Sequence, residues 1–93
     1  MKTHELKIWP RYFEELVEGR KTFEFRKDDR NFAVGDVLYL EEWEPGNEAY
    51  TGRWIPYEIT YIMRGDMGLP KGYVIMAIRK RADLIPKPPR RFQ

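Results

Sequence analysis

Ninety-three residues allow one domain and no second core, because a chain this short buries only about 60 to 65% of its unfolded surface even when it folds well. Hydrophobic residues make up 42% of the chain and aromatics 15%, enough for a globular fold despite 34% charged residues, and the absence of cysteine leaves no disulfide frame or cysteine zinc site and suits a reducing cytoplasm. The formal charge is only +2, and the longest uncharged apolar run, from Tyr73 to Ile78, is far short of the roughly 20 residues of a membrane span, so neither a membrane nor a targeting segment is expected.

The first element is a strand, with His4, Leu6 and Ile8 on one face and Glu5 and Lys7 on the other. The parity of His4 with Leu6 and Ile8 fits a satisfied, partly buried histidine. Pro10 suits the first position of a helix whose Phe13, Leu16 and Val17 recur at i, i+3 and i+4 while Glu14, Glu15 and Glu18 face outward. Gly19 is placed to end it as a left-handed C-cap. Residues 22–26 read as a second strand, with Phe23 and Phe25 toward the core and Thr22, Glu24 and Arg26 on the opposite face.

After a polar loop over residues 27–31, Val34, Gly35 and Asp36 signal a turn into a third strand, residues 37–43, apolar on both faces. Pro45 and Gly46 mark a loop. A long strand over residues 53–63 then alternates Ile55, Tyr57, Ile59, Tyr61 and Met63 inward, and Pro56 within it suggests an edge or a bulge. A Gly- and Pro-rich loop over residues 65–72 leads to a nearly all-apolar strand, residues 73–78, predicted to run through the middle of the sheet.

The order β-α-β-β-β-β predicts an α+β, mainly β domain over residues 1–81. Its sheet carries apolar residues on both faces and has one helix to cover it, which favours a small mixed β-barrel of five to six strands. Residues 82–93 form a basic, proline-rich tail. Residues 79–93 hold six basic residues against one acid, a balance of +5, whereas residues 1–78 balance at −3. Such a tail either meets a polyanion or is simply a solvated end.

Catalytic spacings are absent: there is no P-loop, GxGxxG, nucleophile elbow or HExxH, and a single histidine with no Ser or Cys excludes triad chemistry. No cofactor or metal is expected; a His-rich metal site is excluded, and a carboxylate site from Asp28, Asp29 and Asp36 is possible without EF-hand spacing. The segment that stands out is Gly19, Lys21, Glu24 and Arg26. A glycine cap releases the chain from helix into strand, so Lys21 emerges at the helix end while Glu24 and Arg26 stand side by side. The trio is either a surface ion pair, worth at most about 1 kcal/mol, or a pair of cationic donors for a phosphate or carboxylate oriented by Glu24.

This string, followed by Val34, Gly35, Asp36 and Leu38, resembles the GxKxxExR signature of the ASCH domains of the PUA-like superfamily, and the opening strand, the Tyr50 to Gly52 turn and the Gly72 to Ile75 strand resemble a small ASCH-related family found in bacteria and their phages. The resemblance covers residues 3–79 and implies a PUA-like barrel with a cleft beside the signature strand, RNA or a modified nucleoside as ligand, and Lys21, Glu24 and Arg26 as the marked positions. Some relatives are enzymes. One branch resembles an N4-acetylcytidine amidohydrolase that uses a Lys and a Thr of this segment; here Glu24 stands at the Thr position, with Thr22 one register away. A ribonuclease would draw on Lys21 with Tyr12 or Glu24.

Stacking rings and cations make a nucleic-acid site, and Trp9, Tyr12, Trp43, Tyr50 and Trp54 lie near Arg20, Lys21, Arg26, Lys27, Arg30 and Arg53 in sequence. The sequence therefore predicts an RNA- or nucleotide-binding module. Its cleft is built on Lys21, Glu24 and Arg26, with Arg30, Trp9, Tyr12 and the tail as further contacts. Two alternatives stand beside it. One is a small hydrolase with Lys21 and Glu24 catalytic; the other is a protein-interaction module using the acidic segment 41–48 or the tail.

Overall fold

The alternation at the N-terminus gives strand β1 (Thr3–Ile8), with His4, Leu6 and Ile8 buried, in a computed structural model that describes residues 1–65 and 67–84. Helix α1 (Pro10–Val17) starts at Pro10 after an extended Trp9 and turns Phe13 and Leu16 into the core. Val17, expected beside them, is exposed, because the buried stripe of this short helix is only two residues wide. Gly19 adopts φ +78° just beyond the helix, and the Arg20 and Lys21 N–H groups donate back to the Glu15 carbonyl at 3.0 and 3.1 Å. That reversal delivers the chain directly into β2 (Phe23–Lys27).

Strands β3 (Val37–Glu44), β4 (Ala49–Arg64) and β5 (Tyr73–Lys80) complete one sheet ordered β1-β3-β4-β5-β2. The β1–β3 pair is parallel and the others antiparallel. The fold is thus α+β and mainly β: a five-stranded sheet curled into a half-barrel, with one helix. Its edge strands are β1 and β2. Leu38, Leu40, Ile59, Val74 and Met76 form the middle of the core, and Val37 to Leu40 are all buried, so β3 is covered on both faces as its composition predicts.

Strand β2 is inverted relative to the sequence reading. Phe23 and Phe25 are 46% and 48% exposed, whereas Glu24 is 2% exposed. Glu24 pairs in register with Met76, which pairs with Ile62, and all three point inward. Alternation fixes that neighbours face opposite ways but not which of them faces in, and Glu24 brings two cations with it, as described below. Strand β4 departs from its alternation at a bulge between Ile59 and Tyr61, after which Ile62 takes the inward position and Tyr61 turns out.

Pro56 lies neither at an edge nor at a bulge. It sits in interior strand β4 opposite Tyr39, and its carbonyl accepts from the Arg81 N–H at 2.9 Å. Since N and O of one residue face the same side of a strand, its missing donor faces the end of β5 and no bond to β3 is lost. The turn expected at Tyr50 to Gly52 lies inside β4, and residues 45–48 make the reversal, where Pro45 and Gly46 mark it. Glu41 and Glu42, within the predicted third strand and part of the acidic segment offered as a partner surface, are buried in β3, where Glu42 accepts from Thr51 Oγ1 at 2.7 Å. Most of the predicted tail, residues 85–93, lies outside the described residues.

One buried polar pair ties β1 to the turn before β3. Asp36 meets His4 Nε2 at 2.9 Å and accepts from the Lys2 and Ala33 N–H groups at 3.0 and 3.1 Å. Burial pushes the Asp36 carboxyl up, but these hydrogen bonds outweigh it and hold the group below its ordinary value. A depressed carboxyl contributes stability above the unfolded value, about 3.9, and that contribution is lost as pH falls through the folded value. Asp36→Asn should therefore cost about 1.5 to 3 kcal/mol at neutral pH and lose less stability than wild type below about pH 4. Melting temperature against pH tests this; parallel acid limbs in the two proteins would contradict it.

Candidate functional site

The ladder between β2 and β5 fixes which backbone groups of β2 are spent. Thr22 O accepts from Ile78 N and Asp28 N donates to Gly72 O, so the even-numbered residues bond β5 and the main-chain groups of Phe23, Phe25 and Lys27 face the other way, toward β1. On β1, Lys2 O accepts from Val37 N, so Glu5 and Lys7 likewise face away from β3. Two strand edges thus look at each other across a seam.

Cationic side chains bridge that seam. Arg26 Nη2 donates to the Lys7 carbonyl at 2.6 Å and Arg30 Nη1 to the Glu5 carbonyl at 3.2 Å, while Lys21 Nζ donates to the Phe23 carbonyl at 2.6 Å. Glu24 organises two of them: its Oε1 accepts from Arg26 Nε at 2.7 Å and its Oε2 from Lys21 Nζ. The carboxylate is buried and the two cations are partly exposed, so the trio offers positive charge outward. Deeper in, burial first and the Glu24 charge second push the Tyr57 phenol up, and its hydroxyl donates to the Leu16 carbonyl at 3.4 Å.

Above the trio opens a cleft of about 620 Å³. Lys7, Ile8 and Trp9 line it from the end of β1, Tyr12 from α1, Lys21 from the helix exit, Phe23 to Lys27 from β2, and Tyr73 from β5. Four cations, Lys7, Lys21, Arg26 and Lys27, therefore share the lining with one carboxylate, and two of them, Lys21 and Arg26, contact it. Rings accompany them: Phe25 stacks on Tyr73 with centroids 5.4 Å apart, Lys21 Nζ lies 5.0 Å from the Phe23 ring, and Lys7 Nζ lies 4.3 Å from Trp43.

Of the residues singled out in the sequence, Lys21, Glu24, Arg26, Trp9 and Tyr12 meet at this cleft. Arg30 does not line it; its guanidinium is engaged by the Glu5 carbonyl of β1, two residues before Lys7. Arg20 and Arg53 are paired with Glu15 and Glu14, at 2.6 and 2.8 Å, and Trp54 packs edge-on to Tyr39. Thr22 is exposed outside the lining. Asp28 is paired with Arg64 at 2.7 Å, and among the described residues no group of His, Cys, Asp or Glu is placed to hold a metal. Lys27, noted in the sequence among the cations near the rings, also lines the cleft, and Lys7, Phe23, Phe25 and Tyr73 belong to it without having been expected there. The available signal was the polar alternation of Glu24 and Arg26, which suits an inward face once both are paired.

Residues 3–78 match the family described as a domain of unknown function, DUF3850, and the chain belongs to that family. It is similar to an uncharacterized 12.9 kDa protein in the GpA 3′ region of Escherichia phage P2, at 48% identity over 59 residues. The match covers 63% of this chain and 52% of that relative, so the chain spans about half the length of the curated relative it matches.

The inverted strand sets a contrast in stability. Glu24→Ala should destabilise by about 1 to 3 kcal/mol, since Lys21 and Arg26 lose their acceptor, whereas Phe25→Ser should change stability by less than about 1 kcal/mol. Urea denaturation of both variants decides it. A larger loss for Phe25→Ser would return the phenylalanine face to the core.

Proposed function

We propose that this domain is an ASCH-like member of the PUA-like superfamily, acting in the cytoplasm, that binds RNA or a nucleotide-like ligand in the cleft at Lys21, Glu24 and Arg26. The observation that carries the reading is the lining itself: four cations and one buried carboxylate, with exposed rings beside them. Phosphates suit lysine and arginine, and bases suit aromatic faces. The acidic balance of the body disfavours a broad, sequence-blind polyanion surface and favours a pocket for one nucleotide or a short single strand.

Binding fits the trio better than turnover does. Both Glu24 oxygens accept from cations, so Glu24 holds Lys21 and Arg26 in place rather than offering an acceptor to a 2′-hydroxyl. Arg26 and Lys21 keep further N–H donors for an anion. A protein partner on the acidic segment is disfavoured by the burial of Glu41 and Glu42.

Arg26→Ala should weaken binding of a short single-stranded RNA by more than about 1.5 kcal/mol, the lower range for a charge-assisted hydrogen bond, and Lys21→Ala should weaken it and flatten its salt dependence. Fluorescence anisotropy at two salt concentrations measures both. Unchanged affinity in both variants removes the cleft from the reading, and Lys21-dependent cleavage of the RNA would replace binding with hydrolysis.

A further inference from the structure

Residues directly opposite in adjacent strands share a face of the sheet. Because Glu24, Met76 and Ile62 are in register and point inward, the rows next to them point to solvent: Phe23, Ala77 and Tyr61 form one, Phe25, Ile75 and Met63 the next, and Lys27 stands opposite Tyr73. Tyr61 is 64% exposed and Tyr73 38%, so with Phe23 and Phe25 four large rings stand on the outer side of β2, β5 and β4. Two strand spacings, about 10 Å, separate Phe23 from Tyr61. The small Ala77 stands in register between them, and Thr60, the extra residue of the bulge, donates its hydroxyl to the Ala77 carbonyl at 3.3 Å.

An exposed ring face of this kind marks a binding surface, and two observations point to its occupant. The face is continuous with the cleft, since Phe23, Phe25 and Tyr73 belong to both. Its charges also favour a polyanion: Lys21 Nζ borders the Phe23 ring, Lys27 stands beside Tyr73, and the acidic Glu58 is held by Arg79 and Arg81 at 2.7 and 3.0 Å.

We infer that the ligand is a single-stranded oligonucleotide rather than a lone nucleotide, with one nucleotide in the cleft and the adjoining bases stacked across the outer face, the last of them on Tyr61. The inference rests on the cleft reading above. Tyr61 lies outside the cleft, which separates the two.

The experiment compares uridine 5′-monophosphate with an RNA of about eight uridines, a length within the range of small single-strand binders, on the wild type, Tyr61→Ala and Tyr61→Phe, with melting temperatures as the control for folding. The octamer should bind at least about tenfold tighter than the mononucleotide. Tyr61→Ala should weaken octamer binding about fivefold or more, the low end for one stacked base, and leave mononucleotide binding unchanged, while Tyr61→Phe keeps wild-type affinity for both. Mononucleotide binding with no gain from the octamer, or a Tyr61→Ala variant equal to wild type, overturns the inference, leaves the cleft reading standing and gives the outer face to a protein partner. Binding of neither ligand overturns both.

Discussion

A carboxylate held between two cations at the edge of a sheet organises this molecule. Glu24 sits at the inward position of β2, and burying it would be costly without Lys21 on one oxygen and Arg26 on the other. The Arg26 guanidinium then reaches the Lys7 carbonyl, so the same group that neutralises Glu24 also ties the two edge strands across the open side of the half-barrel. The glycine beyond α1 makes this possible by turning the chain out of the helix five residues before Glu24 comes into place. Once Glu24 faces in, the two-residue period of the strand puts Phe23 and Phe25 outside. The outward rings of β2 and the cations paired with Glu24 thus have one origin.

A second buried carboxylate does a different job. Asp36 collects His4, Lys2 and Ala33 where the parallel β1–β3 pair begins, and the His4 ring lies 4.8 Å from Phe32. Parallel strands cannot be joined by a tight hairpin, so the register of β1 depends on such long-range ties. The two acids therefore mark the two faces of the seam: one fixes β1 against the sheet, the other fixes β2 near β1.

Much of the architecture was legible in the sequence. The alternation of β1, the Pro10 start and Gly19 end of α1, the doubly apolar β3 and the interior β5 all follow from local pattern, and the convergence of Lys21, Glu24 and Arg26 followed from spacing. What failed were choices that a pattern leaves open. Hydrophobicity assigned Phe23 and Phe25 to the core because a lone glutamate is rarely buried, yet Glu24 is buried together with its cations. A single extra residue between Ile59 and Tyr61 reversed the second half of β4, and nothing in that composition announces a bulge. Arg30, near the trio in sequence, lies beyond the end of β2 and reaches the Glu5 carbonyl of β1, two residues before Lys7, rather than the cleft.

The carbonyls along the seam have a further significance. A half-barrel that stops short of closure exposes two rows of backbone acceptors, the usual template on which a strand from a neighbouring molecule nucleates fibrous association. Here arginine and lysine tips occupy the Glu5, Lys7 and Phe23 oxygens. An incoming strand would have to displace a positive charge at each of these three oxygens, so the open margin is guarded against its own kind.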